Sequence, residues 1–329
     1  MVEWYIGKRT RASYAKESTY GTACDAGNYS WMGVVQTVSP SSKSDIIQVN
    51  AMDDSDTRNV SDYFETLRHY SFSVEFLVQH ARPLYFAWGS DILSSNDHTI
   101  TGTNTLPSFT FQVGYSGSTN HVMTYTGCVI NKLDIECTKN EFMKCTAEVV
   151  AQNSTTTDTF KDYQNSNVVM KKYPSVGTGS EYILPYHYSN SNININGTDY
   201  CEVDTIKMSI NNNLLSEPTL CSETGKEKRI AEPIPQLREY DASATVRMST
   251  AEFYDMWETG TYITDPVITF ERSSNDKIVF TLEDAVLESA ISPFNIGEGM
   301  VLVELPFKVK SIGIVETNDL SVQYDETEV

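Results

Sequence analysis

No apolar run in the 329-residue chain approaches the roughly 20 residues that cross a bilayer as a helix. The segment Met1 to Tyr20 carries charges but no hydrophobic stretch of signal-peptide type, so the protein is expected to stay in the compartment where it is made, without a membrane partner. Positive charge is scarce: 24 Lys and Arg stand against 44 Asp and Glu, a formal net charge of -20. Holding a polyanion through its phosphates needs concentrated Lys and Arg, so DNA meeting this protein would meet a repelling surface. The six cysteines, Cys24, Cys128, Cys137, Cys145, Cys201 and Cys221, form neither a C-x-x-C pair nor a Cys/His spacing typical of zinc. Cys137 and Cys145 fall on the apolar sides of neighbouring strands, as small buried hydrophobes do, with a disulfide between them as the alternative. The five histidines, His69, His80, His98, His121 and His187, have no nucleophile or carboxylate at a recognisable catalytic spacing. Gly114-Tyr115-Ser116-Gly117 falls short of the G-x-S-x-G pattern and reads as a hairpin tip. Asp53, Asp54 and Asp56 lack the alternating ligands and glycine of a calcium loop and read as a solvated acidic loop. No enzyme, cofactor or metal site is therefore expected.

What the chain does have is strict alternation of apolar and polar residues. With 40% hydrophobic and 21% charged residues, its composition is that of a folded protein long enough for two domains. From Arg68 to His80 the apolar Tyr70, Phe72, Val74, Phe76 and Val78 alternate with Ser71, Ser73, Glu75 and Gln79, which strand geometry sends to opposite faces. The segments Cys128 to Cys137 and Phe142 to Ala151 alternate likewise about the turn Thr138 to Glu141. Ala285, Leu287 and Ile291 are expected to pair in the same way with Val301, Val303, Leu305, Phe307 and Val309. Asn196-Gly197 signals a tight hairpin between Ile193, Ile195 and the run Val203 to Ile210. Short helices are expected from Pro83 to Gly89 and after the capping-box pair Ser249 and Glu252, with Gly260 as the stop.

The second half repeats the pattern of the first. Leu67, Arg68, Tyr70, Phe72, Val74, Phe76 and Val78 match Leu237, Arg238, Tyr240, Ala242, Ala244, Val246 and Met248 at a constant shift. Each strand precedes an aromatic stretch, Leu84 to Trp88 or Phe253 to Trp257, and then a proline-led run beginning at Pro107 or Pro266. The period is too long for a solenoid, so two similar domains are expected: residues 1–30 as an arm, 31–151 as the first β domain, 152–185 as linker and entry to the second, 186–312 as the second, and 313–329 as an acidic tail.

The opening Glu17-Ser18-Thr19-Tyr20-Gly21-Thr22, the long polar loop, the alternating strand leading to a short helix, and the final amphipathic pair resemble the tail tube proteins of long-tailed bacterial and archaeal viruses. The Asn196-Gly197 hairpin followed by Ile206, Met208, Ile210 and Asn213 adds to that likeness. The resemblance implies β-sandwich or barrel-like domains whose strands join those of neighbours around a bore that conducts DNA, in rings stacked along the virion tail. Most members form rings of six chains; fused two-copy members form trimeric, pseudo-sixfold rings, which the repeat favours. Assembly in the host cytoplasm follows, with tail-tip, tape-measure and tail-terminator proteins as partners and viral DNA passing without specific binding.

Within that picture Lys132, Asp134, Glu136, Thr146, Glu148, Glu288, Glu304 and Lys308, on the polar sides of the paired strands, are expected to line the lumen. The loop before the alternating strand carries Asp53, Asp54 and Asp56 in the first half and Lys226, Lys228 and Arg229 in the second. Opposite charges there would steer stacking of one ring on the next; the alternative is that both are ordinary solvated loops. A two-domain β-sandwich binding module of a surface appendage is the competing function, and the absence of an export signal weighs against it.

Overall fold

Strands with one apolar face must pack that face on another layer. The computed structural model describes residues 10–25, 29–30, 32–50, 62–161, 184–195, 197–200, 203–217, 229–247, 252–260, 263, 265–289 and 302–318. Numbered in chain order, the first-half elements are β1 (Thr10–Lys16), β2 (Val34–Val49), β3 (Asp62–Leu77), α1 (Arg82–Trp88), β4 (Gly89–Ser94), β5 (Asp97–Gly102), β6 (Phe109–Tyr115), β7 (His121–Thr138), β8 (Lys144–Ala151) and β9 (Asn153–Thr157). They are followed by β10 (Ser191–Ile195), β11 (Thr198–Tyr200), β12 (Val203–Asn211), β13 (Glu239–Arg247), α2 (Glu252–Glu258), β14 (Val267–Ser273), β15 (Asp276–Glu283), β16 (Val286–Leu287), β17 (Leu302–Lys308) and β18 (Ser311–Thr317). Among the described residues the chain is mainly β, as its alternation predicts, in two sheets with two short α-helices.

The larger sheet runs β2-β3-β8-β7-β12-β13-β17-β16 with antiparallel neighbours, and β1, β6 and β9 branch from it through β7. The smaller runs β11-β10-β14-β15-β18-β5-β4. Their apolar faces share one core that includes Phe72, Phe111, Ile135, Phe280 and Leu305. Phe72 stacks on Phe111 at 4.7 Å and tilts against Tyr125 at 4.8 Å, so aromatic contacts tie β3 to β6 and to the first part of β7.

Two local features recur along the path. On β2 the register skips Gln36 between Val35 and Thr37; on β12 it skips Asp204 between Val203 and Thr205. Both bulges lie within a Val-x-Thr triplet, and each turns its strand by inserting an unpaired residue. The second feature is a left-handed residue where the chain changes strand partners. Around Gly127 (φ 62°) β7 passes from pairing with β6 and β9 to pairing with β8 and β12. Asp284 (φ 49°) separates β15, paired with β14 and β18, from β16, paired with β17.

Helix α1 starts with Pro83 in its first turn and stops at Gly89, whose φ of 112° and N–H to the Tyr85 carbonyl close the last turn. Its side chains are all buried. Second-half groups hold it: Trp88 Nε1 donates to the Ile312 carbonyl at 2.6 Å, Glu316 accepts from the Ala81 N–H at 3.0 Å, and Asn212 Nδ2 donates to the Ala87 carbonyl at 3.2 Å. Gly260 (φ 60°) follows α2 as expected, whereas Ser249 of the capping box lies outside the described residues.

Several expectations need correction. The turn at Gly197 joins β10 to β11, not to Val203–Ile210; that run is β12, inserted between β7 and β13. Local turn chemistry marks the reversal at Gly197 but does not specify the partners of β12, which are β7 and β13. Residues 153–157, expected in a linker, form β9 against β7, and part of the expected arm forms β1 against β6. The expected acidic tail begins inside β18, where Ile314 and Glu316 are buried. Cys24, Cys128, Cys137 and Cys145 are free and buried; burial raises the thiol pKa of Cys145 and Cys128 well above the ordinary value. Ile291, Val301, Cys201 and Cys221 lie outside the described residues.

Candidate functional site

The apolar face of the larger sheet is covered, so the polar face is where its chemistry lies. All eight residues singled out on the polar sides of paired strands occupy it: Lys132, Asp134 and Glu136 on β7, Thr146 and Glu148 on β8, Glu304 and Lys308 on β17, and Glu288 just after β16. The structure also brings in residues that sequence reasoning missed. Lys207 on β12 and Lys144 on β8 lie on either side of Glu136, at 3.4 and 3.9 Å. Lys308 bridges Asp241 on β13 and Glu288, the latter at 4.0 Å. Asp204 sits between Arg247 at 3.2 Å and Lys139 at 3.5 Å. Once β12 is read as a sheet strand, its own alternation supplies Lys207, and the odd positions of β13 supply Asp241 and Arg247.

This face is therefore a lattice in which cations sit between carboxylates. The hydrogen bond from Lys132 to Asp134, 2.8 Å long, raises the ammonium pKa, and Asp241 raises that of Lys308. Exposed pairs of this kind contribute only about 0 to 1 kcal/mol each. Their effect is to fix side-chain positions and to blunt the negative field of this face, without making it attractive to a polyanion.

Two strands end the sheet. Among the described residues β2 pairs only with β3, and β16 only with β17. Such edges present backbone donors and acceptors to any strand that arrives. Beyond its contact with β8, which covers Tyr70–Leu77, β3 continues with β2 as a two-stranded ribbon. Ile46, Ile47, Val49, Tyr63 and Phe64 are exposed on this ribbon, Tyr63 by 61%.

Of the charged loop residues, Asp53, Asp54, Asp56, Lys226 and Lys228 lie outside the described residues. Arg229 is half-buried and precedes a segment whose Ile234 bridges back to Leu215. The histidines do not assemble a centre: His69 contacts Asp45 at 2.8 Å on the ribbon, and His98 forms a fully buried pair with Asp91 at 3.0 Å inside the β4–β5 hairpin. No group of His, Cys, Asp and Glu able to hold a metal occurs among the described residues. The site is thus a polar face whose two bounding strands are open at their outer edges among the described residues.

A family model described as phage tail tube protein matches residues 7–309, nearly the whole chain. No curated protein matches it.

Proposed function

The chain belongs to the phage tail tube protein family, a structural and not an enzymatic family, and from that premise we propose that it self-assembles into stacked rings forming the virion's tail tube, the conduit for DNA during ejection. The observation that carries this reading is strand order. The larger sheet reads as one four-strand unit used twice, β2-β3-β8-β7 and then β12-β13-β17-β16. The matching Val-x-Thr bulges and the matching left-handed residues Gly127 and Asp284 support an internal duplication. We take residues 31–151 and 186–312 as the two tandem units, with β1 and β18 extending them outward.

A four-strand unit that joins its successor edge to edge within one chain can join the next chain in the same way. Three chains then supply six units, a trimeric ring of pseudo-sixfold symmetry. The polar face, with Lys132, Asp134, Glu136, Thr146, Glu148, Glu288, Glu304 and Lys308, becomes the lumen wall. The loops carrying Asp53, Asp54 and Asp56 and carrying Lys226, Lys228 and Arg229 are assigned to contacts between rings. Tail-tip, tape-measure and tail-terminator proteins would meet the ends of the tube, which is assembled in the host cytoplasm. Cryo-electron microscopy of the polymerised protein tests this directly, with three chains per ring expected. Six chains per ring would remove the trimer, and a protein that stays monomeric at high concentration would remove the tube.

A further inference from the structure

Arg68 and Arg238 hold the same place in the two halves, but Arg238 is seated on the other half of the chain whereas Arg68 is paired within its own strand. Arg238 Nε donates to Asn212 Oδ1 at 2.8 Å, Nη1 to the Tyr240 hydroxyl at 3.4 Å and Nη2 to the Thr103 carbonyl at 2.9 Å. The Thr103 N–H donates to the carbonyl of Trp88, the last residue of α1, at 2.9 Å, so a second-half guanidinium closes over the end of the first-half helix. Gly102 lies directly beneath it, where a Cβ would clash with Nη1. We propose that Arg68 is an assembly latch: it is closed on Glu65 in the dispersed subunit and moves, on assembly, to the C-terminal end of helix α2 of a second copy. This rests on the tandem reading above and gives it a residue.

The strand ladders fix the equivalence. Thr37 lies opposite Glu75, and Thr205 opposite Thr245, at the first pairs after the two bulges. Equal steps away from those pairs bring Ser44 opposite Arg68, and Asn212 level with Arg238 just beyond the Asn211–Glu239 pair. The cross-strand neighbours then differ. Asn212 accepts from its arginine, while Ser44 donates to Glu65 Oε1 at 2.7 Å and Glu65 takes Arg68 Nε at 2.7 Å and Nη2 at 2.9 Å. In the second half Pro235 holds the place of Glu65, so no carboxylate there competes with the Thr103 seat. The Arg68 side chain is 52% exposed, and an exposed ion pair is weak enough to be exchanged for another.

Helix α2 offers the matching seat. Trp257 corresponds to Trp88, yet α1 is wholly buried while Tyr254, Asp255 and Glu258 of α2 are exposed. The last turn of α2 has no basic residue, and its carbonyl end, with the carboxylates of Asp255 and Glu258, attracts a cation. Gly260, where the chain leaves the helix, is open: a Cβ there would meet no atom of the described residues within 4 Å. Within one chain the second half grips the helix of the first. Carried one step further, the first half of a second copy grips α2, and its arginine at that place is Arg68.

The test compares full-length Arg68→Ala, Glu65→Gln and Arg238→Ala variants with the parent protein. Thermal melting of the dispersed subunits is read beside tube formation, followed by light scattering and electron microscopy. Arg238→Ala should lower the melting temperature, because its seat lies inside the chain. Arg68→Ala should leave the melting temperature unchanged and lower tube yield severalfold. Glu65→Gln should open the latch and shorten the lag before polymerisation severalfold at low salt, an effect that shrinks at high salt. A reconstruction of parent tubes should show the Arg68 guanidinium within hydrogen-bond distance of the end of α2 of another chain. Parental tube yield from Arg68→Ala, an unchanged or longer lag from Glu65→Gln, or tubes in which Arg68 stays on Glu65 would overturn the latch and leave the tube reading standing. An Arg238→Ala variant that melts like the parent would remove the template on which the seat is built. If the parent protein forms no tubes, latch and tube fall together.

Discussion

Tyr14 on β1 and Glu17 just after it meet burial in opposite ways. The Tyr14 ring is fully buried, with the Arg82 guanidinium 6.0 Å from its centre, and its hydroxyl has no partner among the described residues. Burial, opposed by Arg82 and aided by Glu316, pushes its pKa from 10.0 up to about 12. The folded state therefore holds the phenol proton more tightly than the unfolded state does. That stability is complete below pH 10 and is lost as the pH rises through about 12, a change on the order of 3 kcal/mol. Tyr14→Phe should leave the melting temperature at pH 7 unchanged or slightly raised, because it removes a hydroxyl lacking a partner. Thermal melts across the alkaline window should fall less steeply for the variant than for the parent. Glu17, by contrast, is fully supplied. Its carboxylate accepts from the N–H groups of Gly21 and Gly127, both at 2.9 Å, and from the hydroxyls of Ser108 at 2.8 Å and Thr110 at 2.9 Å. Glu17→Gln turns a donor toward those donors and should cost about 3 kcal/mol, read as a lower denaturant midpoint of the dispersed subunit. The Glu17 to Thr22 run stood out in the sequence, but its role did not, because three of the four partners of Glu17 come from far along the chain.

The β2–β3 ribbon shows how an element can outrun its support. A lone two-stranded ribbon is marginal in water, and exposed apolar residues on it call for a covering surface. Hydrogen exchange should be fast at residues 44–49 and 62–67 in dispersed subunits, slow at residues 70–77, and slowed at the ribbon by at least tenfold in the tube. Equally fast ribbon exchange in both states would show that it carries no contact. Sequence pattern revealed the inner part of β3 because Phe72, Val74 and Phe76 are buried while their neighbours are not. The ribbon escaped notice because both of its faces are exposed, so Ile46 and Ile47 alternate with nothing. Helix α1 was legible from Pro83 and Gly89 for the opposite reason: its boundaries are set by local backbone chemistry. The placement of β12 was hidden, since periodicity tells which face is apolar and not which distant strand lies alongside.

At the scale of the whole molecule, the polar face was legible strand by strand, while its ion lattice emerged only when the strands were assembled in order. That difference changes how the proposed lumen lining should be tested. Glu136 lies between Lys144 and Lys207, and Glu148 lies opposite Lys132, so lysine at either position would create like-charge contacts and weaken the sheet itself. Glu75 lies between Thr37 and Thr146, and Glu304 opposite Thr245, so both tolerate reversal better. Glu75→Lys/Glu304→Lys should assemble normally and slow DNA ejection severalfold, because phosphate contacts would have to be broken at each step. Ejection from such virions, followed by fluorescence of released DNA, measures this, and parental kinetics would mean that wall charge does not limit transit.

The bonds by which Ile312, Glu316 and Asn212 grip helix α1 have a mechanical consequence for the proposed ring. Its six seams would not be alike. Three would lie within a chain, stiffened by a shared core and a clamped helix; three would lie between chains and form only after folding. Under bending, compliance would concentrate at the three outer seams, so a tail built this way would yield along three lines and not six, with each chain moving as a rigid stave.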